Sequence, residues 1–120
     1  MIEIISGFPD NVIGFTAKGK VTAKEYESVV IPLVEDKLKK HPKISVFYHL
    51  GNEFSGVEAE AVREDWKLGR RHLTAWEKAA VVTDINWIRG AVRLFGLMMP
   101  GDVKVFSNDQ LDEARAWITK

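Results

Sequence analysis

Residues 80–106, AVVTDINWIRGAVRLFGLMMPGDVKVF, decide the fold. The run KAAVVT, residues 78–83, reads as a strand. A helix follows from about Asn86 to Met98, Pro100-Gly101 breaks it, and Val103–Phe106 forms the next strand. A strand, a helix and a strand in so short a span form a crossover unit, which implies parallel pairing with the helix laid on the sheet. On that helix Arg89 and Arg93, four apart, mark one narrow polar stripe. Trp87, Ile88, Val92, Leu94, Phe95, Leu97, Met98 and Met99 take up most of the remaining circumference. Something must cover so much apolar surface. In one reading Trp87, Ile88, Val92 and Phe95 face the sheet while Leu94, Leu97, Met98 and Met99 lie under neighbouring helices. In the other, one apolar flank stays open beside the two arginines and suits an anionic membrane surface, a lipid-like ligand or a subunit interface. Gly90 and Gly96 loosen the helix by about 1 kcal/mol each relative to alanine, which favours a segment able to shift.

Toward the N-terminus, Ile2–Ile5 and Val12–Ala17 read as an antiparallel hairpin across the turn SGFPDN. Thr22 and Glu25 form a capping box. Tyr26, Val29, Val30, Leu33, Val34 and Leu38 then line one face of a helix reaching Lys40, with a kink expected between Ser28 and Pro32. Ile44–Leu50 is a third strand, GNEFSG a turn, and about Val57–Leu73 a second helix. Glu58, Glu60, Glu64 and Asp65 occupy the first half of this helix and Lys67, Arg70, Arg71 and His72 the second, a polarity that complements the helix dipole. Its expected inner face is Ala59, Val62, Trp66, Gly69 and Leu73. Ser107 and Gln110 make a second capping box before Leu111, Ala114, Trp117 and Ile118, the inner face of the last helix. The order β-β-α-β-α-β-α-β-α predicts an α/β fold, with an N-terminal hairpin, a mostly parallel five-stranded sheet and four helices in one domain over residues 1–120.

Composition limits the partners. Lys plus Arg balances Asp plus Glu, 17 against 17, so no long-range field collects a polyanion and nucleic acid is not an expected partner. Cysteine is absent, which removes disulfides and thiol chemistry and accords with a reducing cytoplasm. The opening residues lack a basic start and an apolar run, so no signal peptide is expected, and LFGLMMP falls far short of the roughly 20 residues that span a bilayer. The expected location is the cytoplasm, with peripheral attachment at the inner membrane face as an option.

No run of residues spells out a reaction. G-x-S-x-G, P-loop and dinucleotide fingerprints are missing, and His41, His49 and His72 have neither partner patterns nor metal-ligand spacing. His49 lies at the end of a central strand, where open α/β sheets bind ligands. The reading is therefore of a protein that is not an enzyme, with no catalytic residue, no metal and no cofactor.

The segment 80–106, the closing LDEARAWI at residues 111–118 and the FSG turn at Phe54–Gly56 together resemble the SpoIIAA-like family, along essentially the whole chain. These are small bacterial proteins with the STAS fold of anti-sigma-factor antagonists and a likeness to lipid-binding CRAL-TRIO domains. The resemblance implies that fold and favours binding over catalysis. In true antagonists a serine of a DSSG-type motif opens the helix after the third strand. GNEFSG brings Ser55 near that place, without the preceding aspartate or the paired serine, and makes it a candidate phosphosite. A phosphate there would meet a helix N-terminus but also Glu53, Glu58 and Glu60.

The leading expectation is a non-enzymatic module that takes an apolar small molecule, a lipid or a membrane surface between the second and third helices. Trp66, Trp87, Phe95, Met98 and Met99 would line the site, and Arg89 and Arg93 would meet an anionic head group. The alternatives are a regulatory switch of the antagonist type working through Ser55, and a homodimer that buries the apolar flank.

Overall fold

In a computed structural model, which describes residues 1–97 and 101–120, five strands lie side by side in chain order. β1 (Ile2–Ile5) pairs antiparallel with β2 (Val12–Val21), with Ile5 opposite Gly14. β3 (Ile44–Val57), β4 (Trp76–Thr83) and β5 (Asp102–Phe106) follow in parallel. The helices are α1, built from Ala23–Glu25, Tyr26–Val30 and Ile31–Lys40, then α2 (Ala59–Arg71), α3 (Asn86–Gly96) and α4 (Leu111–Ile118). The sheet and the four helices are those expected from the sequence.

Chain-order strands determine where the helices go. Each crossover steps to the same side, and right-handed crossovers stepping one way lay their helices on one face. Accordingly α1, α2 and α3 share a face with Phe15, Val30, Val34, Ile44, Ala61 and Ile88. The opposite face is closed by α4 and the β1–β2 loop, through Phe47, Val82, Phe106, Ala114 and Ile118, with Phe8 packed at a tilt against Phe47, 5.1 Å between ring centroids.

Both capping boxes form, at Thr22/Glu25 and at Ser107/Gln110. The irregularity expected between Ser28 and Pro32 takes the form of a π-helical turn, Tyr26–Val30. Pro32 has no N–H to give the Ser28 carbonyl, and the ladder re-registers upstream, where the Ile31 N–H bonds the Tyr26 carbonyl five residues back.

Two expectations are corrected. GNEFSG is not a turn: β3 continues to Val57 by taking up extra residues as bulges against β2, so that the strands pair onward, Gly19, at φ +61°, with Phe54 and Val21 with Val57. The inner face of α2 is also rotated from the expected stripe. Ala61 and Leu68 are buried, while Ala59, Val62 and Trp66 face outward. Of that stripe, the burial of Gly69 and of Leu73 lies outside what is described.

Gly101 enters β5 against the backbone of β4, where a Cβ would stand 2.5 Å from the Trp76 carbonyl oxygen and 2.9 Å from that of Glu77. Backbone in a central strand cannot yield to it. Gly101→Ala should therefore destabilise the fold by about 1–3 kcal/mol in urea unfolding. An unchanged midpoint would mean that β5 does not approach β4 as described.

Candidate functional site

α2 and α3 are neighbours on one face but are fastened to different parts of the molecule. At the N-terminus of α2 the Glu58 N–H donates to the Val21 carbonyl at 2.9 Å, and Glu58 Oε1 accepts from the Ala23 N–H at 3.1 Å. At its C-terminus His72 Nε2 lies 2.8 Å from Glu35 Oε1 of α1, and Arg71 lies 3.5 Å from the same oxygen. α3 instead packs on β4 and β5. Gly96 permits this, since a Cβ there would come within 3.1 Å of Val103 Cβ. Arg89 Nη1 donates to the Thr83 carbonyl at 2.8 Å and secures the other end.

Between them the sheet is left partly uncovered. Val46, Tyr48, Ala79 and Val81 sit on the central strands and point to the helix face, yet they are only half-buried. Above them lie three adjoining hollows. One of about 180 Å³ opens near the C-terminal ends of the strands, beside Phe54, Val57 and Trp87. A second of about 140 Å³ lies toward Trp76 and Val103. The third, about 370 Å³, is the gap between the two helices, walled by Val62 and Trp66 on one side and Ala91, Leu94 and Phe95 on the other. Asp65 and Val92 line all three.

Asp65 is the polar centre of this cleft. It lies between Ala61 and Leu68 on the inner face of α2, and no Lys, Arg or His is among the residues lining the hollows. Asp65 is exposed, so water reaches its carboxyl, while apolar side chains make up the lining beside it. This environment pushes its pKa up to about 6, against the opposing effect of the nearby Tyr26 hydroxyl. The Tyr26 hydroxyl is in turn 3.0 Å from that of Tyr48 on β3. Burial raises the pKa of both phenols, so each stays protonated at neutral pH. Tyr26 is the first residue of the π-helical turn, so the proline-induced irregularity of α1 lies at the site itself. The neighbouring hollow also holds a buried donor, Trp76 Nε1, without a partner among the described residues.

The residues expected at the site are placed unevenly. Trp66 and Phe95 meet across the gap, edge to face, with ring centroids 5.4 Å apart. Trp87 borders the first hollow but is 62% exposed, so it does not face the sheet, and Leu94 at 65% and Leu97 at 84% are not covered by neighbouring helices. On α3 the buried residue is Ile88, and the second reading of that helix, with an open apolar flank, is the one that fits. Arg89 is engaged by Thr83 and Arg93 is exposed, and neither lines a hollow. Met98 and Met99 lie outside the described residues. Ser55 is exposed on β3 rather than at a helix start, with Glu58 as the α2 N-cap. His49 shares the face of Phe47, away from the cleft, and burial beside Asn108 lowers its pKa. Sequence reasoning missed Asp65, Tyr26 and Tyr48 as site residues. The available signal was the spacing Ala61, Asp65, Leu68, which sets an acid within an inward stripe.

Among the described residues no group of His, Asp and Glu is arranged to hold a metal ion, and no helix is long and apolar enough to cross a membrane.

The carboxyl has a consequence for stability. Unfolded, it titrates near 3.8, and folded near 6. The folded state thus holds a proton that the unfolded chain has lost between those values, and the stability this gives is present below about pH 4 and lost as pH rises through 6. Asp65→Asn cannot ionise. It should exceed the parent in stability at about pH 7.5, on the order of 1 kcal/mol once the water reaching the carboxyl is allowed for, and match it near pH 4. A variant that is weaker at both pH values in urea unfolding would show that the carboxylate is held by favourable pairing.

The SpoIIAA-like family model matches residues 12–119. Among solved structures, an uncharacterized protein of the DUF3478 family with a SpoIIAA-like fold, from Shewanella loihica PV-4, aligns with a TM-score of 0.76 at 30% identity, covering 98% of this chain and 92% of that one. The curated proteins contain no match. With the family model spanning all but the first strand and loop, and a solved neighbour of the same topology, the chain belongs to the SpoIIAA-like family.

Proposed function

We propose that the protein is a binding module that receives an apolar body in the cleft between α2 and α3, without chemistry. The observation that carries this reading is the half-buried state of Val46, Tyr48, Ala79 and Val81. Central strands of a sheet are the driest place in an α/β domain, and leaving them uncovered forgoes roughly 25 cal/mol for each Å² that stays wet. An apolar occupant would recover that burial. The aromatic walls, Trp66 and Phe95 from facing helices, and the exposed Trp87 and Leu94 at the rim give the cleft the apolar lining and few polar groups typical of small-molecule sites. The same rim suits delivery from, or to, a membrane surface, since aromatic and aliphatic side chains enter the headgroup boundary.

A regulatory role of the STAS type is compatible with this binding. Ser55 is exposed, and its neighbours Phe54 and Val57 border the hollow at the strand ends, so a change at that serine would be felt at the cleft.

Ala91 supports a direct test, because it is exposed on α3 and lines both the first hollow and the gap between the helices. The neutral dye N-phenyl-1-naphthylamine should brighten on binding the parent. Ala91→Trp, which fills the cleft from a solvent-facing helix position, should keep the parent's circular dichroism spectrum and weaken the dye by about tenfold or more, the effect of displacing one or two aromatic contacts. Equal dye binding by the two folded proteins, or none by the parent, would refute the cleft as a binding site.

A further inference from the structure

The cleft offers a head group one kind of chemistry. Asp65 is the single charged side chain lining the hollows, and among the described residues no ion pair engages it. The arginines that a purely sequential view offers to an anion are elsewhere, Arg89 on the Thr83 carbonyl and Arg93 on the solvent side.

Hydrogen counting sharpens this. The Tyr26 and Tyr48 hydroxyls share one hydrogen bond at 3.0 Å, in which either can donate. That bond uses one of the two phenolic protons and leaves a single one for the carboxylate. An ionised carboxyl presents about four lone-pair sites, so most of what remains open at the polar centre accepts. A group that donates is complementary to it, and a group that only accepts is not. The buried indole N–H of Trp76, which is neutral, would not offset the repulsion of an anion by the carboxylate in so apolar a space.

Resting on the cleft as the binding site, we infer that its occupant is an amphiphilic amine, whose protonated nitrogen pairs with the Asp65 carboxylate while its apolar body lies over Tyr48, Val81 and Val92. A cation there also relieves the stress of an ionised carboxyl among apolar side chains, which is the form present at neutral pH.

Three ligands with one chain and different heads test this: octylamine, 1-octanol and octanoate, each measured at about pH 7.5 by displacement of N-phenyl-1-naphthylamine and by calorimetry. The expected order is octylammonium tighter than octanol by about tenfold or more, the value of a hydrogen bond to a charged partner, with octanoate weakest. In Asp65→Asn the octylammonium advantage should vanish while octanol binds as before. On lowering the pH to about 5, octylammonium, protonated throughout, should lose affinity in the parent as the carboxyl takes up its proton, and octanol should not. The titratable groups facing Asp65 from α1 and β3 are Tyr26 and Tyr48, and α3 presents none there, so no other group on the cleft wall titrates in that interval.

Octanoate binding as tightly as octylamine, or a preference for the amine that survives in Asp65→Asn, would overturn the amine assignment and leave the cleft intact. Failure of all three to displace the dye, with the dye bound as in Ala91→Trp, would overturn both.

Discussion

Glu58 and the Glu35–His72 pair hold α2 against α1 at its two ends, and the character of the helix face follows from that attachment. A helix on an open sheet would ordinarily settle where it covers the most apolar surface. Here the N-terminus of α2 is tied through Glu58 to the end of β2 and the start of α1, and its C-terminus reaches back to Glu35. α3 is held to the far side by Gly96 against Val103 and by Arg89 on Thr83. Edge-to-face contact between Trp66 and Phe95 bridges the helices, and an aromatic pair spans a gap that two aliphatic side chains could not. The cleft is thus a structural consequence of where two helices are anchored. It needs no lid and no domain interface.

The chain-order sheet makes this placement necessary. Doubly wound sheets bind ligands where the strand order reverses, because the two crossovers there diverge to opposite faces. Strands in the order β1-β2-β3-β4-β5 contain no such reversal, so the C-terminal edge of this sheet has no crevice of that kind. Space for a ligand has to come from a gap between helices on one face. That is also why His49, at a position that would be near a ligand in a doubly wound protein, lies on the α4 side beside Asn108.

Element types and order were legible because each rests on a local rule: β-branched runs, two capping boxes, a proline after a helix, turn residues between strands. The partners at the site were legible in part. The apolar face of α3 placed Trp87 and Phe95 correctly on a helix, but which of its flanks stays open depends on Gly96 docking against β5, a contact between elements that no periodicity encodes. α2 was harder. Ala59, Val62, Trp66 and Ala61, Leu68 are two competing stripes on one helix, and the first is the more apolar. The second wins because Glu58 ties the helix start to Val21 and Ala23, turning Val62 and Trp66 outward and bringing Asp65, itself exposed, to the edge of the hollows. Likewise GNEFSG has the composition of a turn, and only by bulging against Gly19 and Lys20 of the partner strand does it pair.

The rotation of α2 also sets the sign of the site. The chain has zero formal net charge, so no global field favours one ligand charge over another. Two arginines on α3 would suggest an anion, but both are turned to carbonyl or water, and exposed charges are screened within about 10 Å at ordinary salt. A single carboxylate inside an apolar cleft acts at close range. At an effective dielectric near 20 a unit charge about 4 Å away feels roughly 4 kcal/mol, against about 1 kcal/mol in water. One aspartate at the edge of the hollows therefore outweighs two outward-facing arginines in deciding which head group the cleft accepts. Tyr26, positioned by the widened turn that Pro32 imposes on α1, adds a hydroxyl to that site and no charge of its own.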